Sequence, residues 1–195
     1  VNSENTDLEN EIKYSFSKDN MYFNVVTNVY EDLREKKNSD RYEYILPNIM
    51  YGKTFFTEKF GTVDFKSDAL FTNYETNKYK TFLTNDVIWN PTSFVKNSVV
   101  NKFEAMVRNT NYETKKTKEY KDGDTVNEIN GVVAYKASLP MKKDGLNYWN
   151  LFSPKLMVRY SPGHMRDLSK KDVTLNYNNL YSLNKTAEIE DGLST

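Results

Sequence analysis

The chain has 195 residues, of which 38% are hydrophobic and 14% aromatic, and its 27 basic residues balance its 27 acidic residues. This balance excludes the strongly positive field that draws a protein to nucleic acid or to an anionic membrane surface. The absence of cysteine excludes disulfides, thiolate catalysis and most zinc sites, and no apolar run approaches the roughly 18 residues that a membrane-spanning helix needs.

Apolar and polar residues alternate in several segments, which predicts strands that have one apolar and one polar face. A helix would scatter the same residues around its circumference. The stretch "FSPKLMVRYSPGHMRDLS" at 152–169 shows the alternation most plainly before it ends in Pro-Gly and charges. The apolar members of the other segments are Ile12, Tyr14 and Phe16; Val63, Phe65, Ala69 and Phe71; Phe103, Ala105 and Val107; Ile129, Val133 and Tyr135; and Val173, Leu175 and Tyr177.

Three further segments, which begin at Met21, Arg41 and Tyr79, are rich in β-branched and aromatic residues and predict strands whose facing is ambiguous. Pro47 and Pro154 lie within strand-like runs, where proline removes a hydrogen-bond donor from the ladder. Each proline therefore indicates either a bulge or unpaired edge, or simply the end of a strand.

Polar segments separate the strands, and Asp122-Gly123 and Asp144-Gly145 are the strongest hairpin signals among them. No segment predicts a capped amphipathic helix. The sequence therefore predicts an all-β fold, an antiparallel up-and-down meander of about eight or nine long strands. The predicted turns and loops are residues 17–20, 34–40, 109–124, 141–146 and 161–172.

Alternation fits a soluble β-sandwich, which buries its apolar face, and also a membrane barrel, which turns that face to lipid. The predicted strands have about 10 to 14 residues, longer than the usual strand of a globular protein and long enough to cross a bilayer. Aromatic residues near the segment ends resemble the girdles of a membrane barrel. These residues are Tyr22, Tyr30, Tyr42, Tyr51, Tyr74, Tyr79, Trp89, Tyr148, Trp149 and Tyr160.

The order of motifs resembles the barrel domain of LPS-assembly proteins, the LptD (also called OstA) family, and its alphaproteobacterial-type members in particular. The resemblance covers nearly the whole chain and is most specific from Gly131 to Ser194. Strands of the form P-x-hydrophobic-x-Y recur in this family, and they match Pro154 to Tyr160 and, less well, Pro47 to Tyr51. The other motifs are "RYEYILPNIMYGKTFFTEKFGTVDF", "TNDVIWNPTSF", "GVVAYKASLPMKKDG" and "DVTLNYNNLYSLNKTAEIEDGLS".

The resemblance implies that residues 1–195 are an internal section of a large outer-membrane β-barrel, an open curved sheet when taken alone, with no second domain. It implies lipopolysaccharide transport and assembly at the Gram-negative outer membrane, without covalent chemistry and with energy from a distant ATPase. The implied partners are lipopolysaccharide, outer-membrane lipid, an LptE-type lipoprotein plug and the periplasmic Lpt bridge. Because the chain starts at Val1, we expect that a signal peptide has been removed or that a longer chain precedes it.

The polar alternates Asp64, Lys66 and Asp68, together with Lys155 and Arg159, are candidates to line a lumen or to form a solvated wall that binds no specific ligand. An enzyme is not expected, because the only histidine, His164, lies in a Pro-Gly loop without a matching nucleophile. No cofactor or metal site is predicted either. Patterns that we attribute to surface acid or chance are Asp64 with Asp68, Glu188 with Asp191, and the sequon Asn184-Lys185-Thr186.

Two alternatives to the resemblance stay open: another outer-membrane barrel, such as a porin or plugged receptor, and a soluble β protein that binds carbohydrate or protein. The predicted facing gives a first test. Aspartate at Phe65 or Val158 should impair membrane assembly, whereas aspartate at Ser67 or Lys155 should be tolerated.

Overall fold

The computed structural model describes residues 7–33, 44–74, 78–117, 123–146, 148–162, 181–183 and 192–194. Within these residues the chain forms twelve β-strands and no helix, which confirms the all-β prediction. Accordingly, no described helix has the length and hydropathy to cross a membrane.

Seven of the strands have 12 to 17 residues, about twice the length of a typical globular strand. Their bounds match the segments in which apolar and polar residues alternate or β-branched residues cluster. The strands are β1 Asp7–Lys18, β2 Met21–Asp32, β3 Tyr44–Thr57, β4 Gly61–Asn73, β5 Tyr79–Asn90, β6 Phe94–Lys96, β7 Val99–Lys115, β8 Val126–Ser138, β9 Met141–Asp144, β10 Trp149–Phe152, β11 Lys155–Ser161 and β12 Gly192–Ser194.

Nine strands are hydrogen-bonded in the order β1-β2-β3-β4-β5-β7-β8-β11-β12, so each strand pairs with the next long strand of the chain. This order confirms the predicted antiparallel meander of about eight or nine strands. The short strand β6 pairs with the start of β7, and β9 and β10 form a separate two-stranded sheet. These three short strands were not predicted.

Two compact units divide the chain, and the first contains residues 1–54, 65–86 and 109–129. Here β1 pairs with β2 along its whole length, from Asp7 opposite Asp32 to Lys18 opposite Met21. The register between β2 and β3 shifts between Val26 and Asn28, opposite the position of Pro47. Pro47 therefore lies at a bulge, one of its two predicted explanations, because proline offers no N–H to a regular ladder.

The second unit contains residues 55–64, 87–108 and 130–195. Its buried apolar side chains form one small cluster, made of Met106 in β7, Val132 and Ala134 in β8, Met157 in β11 and Leu183. Pro154 precedes β11 and its carbonyl accepts a hydrogen bond of 3.1 Å from the N–H of Leu139. This second proline therefore lies at a strand end, the other predicted explanation.

The prediction of a loop at 109–124 was wrong for its first half, because β7 continues to Lys115. Side chains compensate for the polar sequence: the Asn109 amide donates to the carbonyl oxygen of Glu128 at 3.3 Å, and the Tyr112 hydroxyl donates to the Glu128 carboxylate at 3.2 Å. Alternation of apolar residues alone cannot find such a strand, since cross-strand polar pairs replace the apolar ones.

The hairpin signal at Asp144-Gly145 is confirmed, because the N–H of Gly145 donates to the carbonyl of Tyr148 at 2.7 Å between β9 and β10. Residues 141–144 are strand rather than loop. The β6–β7 turn was missed because Asn97-Ser98 lacks glycine, although both residues adopt positive φ angles, of 51° and 65°.

Candidate functional site: the apolar and polar faces of the strands

Strand β7 exposes apolar side chains and buries charged and polar ones. Phe103 and Val107 are 49% and 50% exposed, whereas Glu104 between them is 7% exposed. Successive side chains of a strand point to opposite sides, so Phe103 and Val107 share the exposed side and Glu104 shares the other with Met106. A soluble sheet shows the reverse arrangement, because it buries its apolar side.

The same arrangement recurs in β11, whereas β8 exposes Val133 but buries the apolar residues Val132 and Ala134. Val133, Leu156 and Tyr160 are more than half exposed, whereas Arg159 is only 1% exposed. We call the exposed side the apolar face and the opposite side the polar face of each strand. The apolar face includes Phe65, Phe71, Leu83, Val87, Phe103, Val107, Ile129, Val133, Leu156, Val158 and Tyr160; the polar face includes Asp64, Lys66, Asp68, Lys102, Glu104, Glu128, Lys136, Lys155 and Arg159.

A carboxylate holds two lysines on the polar face of the second unit. The Glu104 carboxylate lies 2.8 Å from the Lys102 ammonium through one oxygen and 2.5 Å from the Lys136 ammonium through the other. Lys102 belongs to β7 and Lys136 to β8, so the carboxylate links neighbouring strands. A carboxylate as buried as this one needs such partners, since the loss of hydration is otherwise uncompensated.

A segment of the chain, Tyr181-Ser182-Leu183, covers part of the polar face. The buried Arg159 donates a hydrogen bond of 2.7 Å from Nε to the carbonyl oxygen of Leu183. The Leu183 side chain joins the buried apolar cluster, and Tyr181 packs against that cluster from its edge. Arg159 therefore fixes a piece of chain over the polar face, and the small apolar core lies beneath this piece.

The five predicted lumen residues have different surroundings. Lys66 and Asp68 on β4 and Lys155 on β11 are exposed on the polar face. Asp64 is half-buried and accepts a hydrogen bond of 3.4 Å from the Asn90 amide, and Arg159 is buried against Leu183. They do not form a single site, because β5, β7 and β8 separate β4 from β11 in the sheet order.

The position of Ser67 bears on the expected tolerance of aspartate there. Ser67 is two residues from Phe65 and so shares the apolar face of β4 rather than the polar face. Its hydroxyl donates a hydrogen bond of 2.8 Å to the side-chain carbonyl of Asn85 on β5. This hydrogen bond satisfies two polar groups on a face that is otherwise apolar. An aspartate at position 67 could not donate the bond to Asn85 and would also place a charge on the apolar face.

The aromatic residues predicted at strand ends largely lie there. Tyr79 and Trp149 begin β5 and β10, and Tyr74 follows β4 directly. Trp89, near the end of β5, donates from its indole nitrogen to the carbonyl of Phe60 at 2.9 Å. Tyr51 is an exception, because it lies in the interior of β3, where its ring packs 6.1 Å from that of Phe65.

Tyr22, on the polar face, covers a glycine of the neighbouring strand. Tyr22 is paired with Gly52 across β2 and β3, and a Cβ atom at Gly52 would lie 2.0 Å from the nearest ring carbon. A side chain at position 52 would therefore displace the Tyr22 ring from its place over the backbone.

Several sequence candidates lie outside the described residues. These are His164, the acidic pair Glu188 and Asp191, the sequon at Asn184, and the predicted strand of Val173, Leu175 and Tyr177; Tyr42 lies outside as well. Within the part of the chain that the structure describes, no three His, Cys, Asp or Glu residues cluster in a way that could hold a metal ion.

Sequence reasoning missed the role of Glu104 as a bridge between strands and the position of Tyr181-Leu183 over the polar face. The first had a signal, since a lone acidic residue between Lys102 and Arg108 on a predicted polar face suggests pairing. The second had none, because the contact between Arg159 and Leu183 spans 24 residues of sequence.

Strands of 12 to 17 residues that expose apolar side chains and bury charged ones define a β protein of the outer-membrane type rather than a soluble sandwich. The model of the family described as "LptD: LPS transport system D" matches residues 1–193, and the chain therefore belongs to the LptD family. A comparison with curated proteins finds no match. Family membership assigns the chain to lipopolysaccharide transport at the outer membrane of Gram-negative bacteria.

Proposed function

We propose that residues 1–195 form one section of the wall of an LptD translocon barrel, with no separate second domain. The apolar face contacts outer-membrane lipid, and the polar face lines the lumen through which lipopolysaccharide passes. The observation that carries this proposal is the inverted burial of β7 and β11: Phe103 and Tyr160 are exposed, whereas Glu104 and Arg159 are buried. In water this arrangement would leave apolar surface uncovered, whereas in a bilayer lipid covers it.

Strand length supports the same proposal. A tilted strand needs about 9 to 11 residues to cross the hydrocarbon core, and β1 to β5, β7 and β8 each have at least 12. The excess residues extend beyond the hydrocarbon, where tyrosine and tryptophan are favoured because their rings are amphipathic. Tyr79 and Trp89, near the two ends of β5, have this placement.

The proposed mechanism moves lipopolysaccharide without covalent chemistry. Exposed polar-face groups such as Lys66, Asp68 and Lys155 contact the sugar and phosphate portion, while the acyl chains pass toward the bilayer. Glu104 offsets one of the two positive charges of Lys102 and Lys136, which weakens the attraction of that part of the wall for phosphate. A conduit needs weak contacts, because a ligand that binds too strongly does not leave. An ATPase in the periplasmic bridge supplies the energy.

An LptE-type lipoprotein plug is proposed to lie against the same polar face. Such a plug needs a wall of satisfied polar groups, since a buried charge without a partner destabilises an interface. The Glu104 bridge provides satisfied groups of this kind.

Photocrosslinking in cells tests the proposal. A photoreactive phenylalanine analogue replaces Lys66 or Lys155 on the polar face and, as matched controls, Val87 or Val133 on the apolar face. The outer leaflet itself contains lipopolysaccharide, so the apolar-face probes should give adducts whether or not transport is running. The polar-face probes should give adducts only while ATP drives the bridge.

Failure of the polar-face probes to capture lipopolysaccharide, or capture that persists without ATP, would contradict the translocon role and favour a porin or a plugged receptor. Recovery of the protein as a soluble species, with no detergent and with Val133 accessible to water-soluble reagents, would contradict the membrane location altogether.

A further inference from the structure

The hairpin formed by β9 and β10 exposes nearly all of its large apolar side chains. Trp149 pairs with Asp144 and Phe152 with Met141 at its two ends. Its four-residue strands are exposed at every position, and Leu146 at the tip is 103% exposed. The exposed apolar residues are Met141, Leu146, Tyr148, Trp149, Leu151 and Phe152.

Two prolines separate this hairpin from the main sheet. Pro140 precedes β9 and Pro154 precedes β11, and neither offers an N–H to continue the ladder between β8 and β11. The Leu139 N–H donates to the Pro154 carbonyl at 3.1 Å and holds the base of the hairpin together. The hairpin is thus a separate element with a fixed point of attachment.

A two-stranded hairpin of this size is marginally stable in water by itself. An exposed patch that contains this many large apolar side chains marks a surface that a membrane or another protein covers. The residue types favour the membrane. Tyr148 and Trp149 are the residues that concentrate at membrane–water interfaces, and Leu151 and Phe152 are residues that partition into acyl chains.

The charge of the hairpin is positive. Lys142 forms an ion pair of 2.8 Å with Asp144, which leaves the charge of Lys143 in excess over the segment 141–152. Lysine stems lie along apolar surface while their ammonium groups reach the phosphates of the headgroup layer. Each such lysine favours an anionic leaflet over a neutral one.

The lengths of the connections indicate which leaflet is involved. At one end of the meander the β1–β2 and β3–β4 turns have two and three residues, and the β5–β7 and β8–β11 connections, residues 91–98 and 139–154, contain the short strands β6, β9 and β10. At the other end the connections β2–β3, β4–β5 and β7–β8 span residues 33–43, 74–78 and 116–125. Outer-membrane barrels have short turns on the periplasmic side and long loops outside. In an antiparallel meander, the connection from β8 to β11 lies at the same end as the short turns, which is the periplasmic end.

We propose that the hairpin Met141–Phe152 is an interfacial anchor that inserts into the headgroup layer of the periplasmic leaflet and binds anionic phospholipid. This inference rests on the proposed function, because it requires β8 and β11 to cross the bilayer. The proposed anchor goes further than the proposed wall, because it states which end of the strands is periplasmic and which lipid the hairpin contacts. The anchor fixes the periplasmic rim of the barrel at β8 and β11 relative to the membrane surface.

The test uses the intact protein in vesicles of phosphatidylethanolamine and phosphatidylglycerol that contain no lipopolysaccharide. An environment-sensitive fluorophore is attached to cysteine in place of Leu151, Val133 or Asp68. The chain has no cysteine of its own, and unsubstituted protein taken through the labelling serves as the blank. Nitroxide lipids that carry the quencher at the headgroup or in mid-chain report depth.

We expect the label at Leu151 to lose most emission to the headgroup quencher, the label at Val133 to the mid-chain quencher, and the label at Asp68 to neither. Replacing Lys142 and Lys143 together by glutamine should reduce the Leu151 quenching in vesicles that contain phosphatidylglycerol and leave Val133 unchanged. The same variant should show no such reduction in vesicles without anionic lipid.

Quenching at Val133 with none at Leu151 would overturn the anchor while the proposed wall stands. Loss of quenching at Val133 as well would instead overturn the wall. Shielding of Leu151 only after the plug lipoprotein or periplasmic partners are added would show that protein covers the hairpin, and dependence on added lipopolysaccharide would place it in the other leaflet. Either result overturns the proposal.

Discussion

The polar face of β4 and the polar face of β7, β8 and β11 follow the same alternation and yet have different surroundings. On β4, Lys66 and Asp68 are exposed to solvent. On β7 and β11, Glu104 and Arg159 are buried, the first between two lysines and the second beneath Leu183. Alternation therefore determines which face a residue occupies, but its partners on other strands or in distant segments determine whether it is exposed or buried.

The largest expected effect comes from placing a charge on the apolar face of β4, the strand whose polar face is exposed. Ala69→Arg on the apolar face of β4 should lower the free energy of unfolding in lipid by about 2–4 kcal/mol, if the site lies near the bilayer midplane. The neighbouring change Asp68→Arg puts the same side chain on the polar face and should be tolerated. Denaturant unfolding in vesicles and the level of assembled protein in membranes measure the effect of each variant. If Ala69→Arg and Asp68→Arg had equal effects, the assigned faces of β4 would be contradicted.

Loss of a polar-face charge should destabilise the protein more on β7 and β11, where these charges are buried, than on β4, where they are exposed. Arg159→Met keeps much of the side-chain volume but removes the donor to the Leu183 carbonyl, at a cost of about 2 kcal/mol. Lys66→Met, on the exposed polar face of β4, is the matched control and should stay within about 0.5 kcal/mol of the native protein.

Hydrogen exchange distinguishes this contact from a general loss of stability. In the Arg159→Met protein, the amides of Tyr181, Ser182 and Leu183 should exchange faster, whereas amides in β4 keep their native rates. Unchanged protection of these three amides would show that Arg159 does not hold the segment in place.

The Glu104 bridge should show a smaller effect that depends on its partners. Glu104→Gln removes the charge and should cost about 1–2 kcal/mol, reduced by the partial exposure of Lys102 and Lys136. Combining Glu104→Gln with Lys136→Met should cost less than the sum of the two single changes, because the second removes an unpaired charge. Strict additivity in the double-mutant cycle would contradict the bridge.

The smallest expected effect concerns the contact between Tyr22 and Gly52. Gly52→Ala forces the flexible Tyr22 ring to move and should cost about 1 kcal/mol. Gly131→Ala is the control, since a Cβ atom there meets nothing closer than 3.8 Å. Thermal unfolding of the two variants should separate them, and a Tyr22→Ala background should abolish the difference.

The sequence predicted the long strands well because each carries its own signal in alternation or β-branched content, as in β4 and β8. It failed where the stabilising partner lies far away in sequence or is polar. The second half of β7 is held by side chains paired with β8, and the β6–β7 turn relies on Asn97 and Ser98 in place of glycine.

The candidate site could be predicted in part. Asp64, Lys66, Asp68, Lys155 and Arg159 all lie on the polar face. The sequence predicts this placement because side chains two residues apart on a strand point to the same side. Their individual environments could not be predicted, since the burial of Arg159 depends on Leu183. Ser67 shows that chemistry alone is not enough: it is polar, yet its position places it on the apolar face with Phe65.

The most direct test of the central claim is a nitroxide scan along β4, one residue at a time from Phe65 to Phe71, in the intact protein in a bilayer. Collision with oxygen, which dissolves in lipid, should be highest at Phe65, Ser67, Ala69 and Phe71. Collision with a water-soluble nickel complex should be highest at Lys66 and Asp68. An alternation in the opposite phase, or equal collision with the nickel complex at every position, would show that the apolar face does not meet lipid.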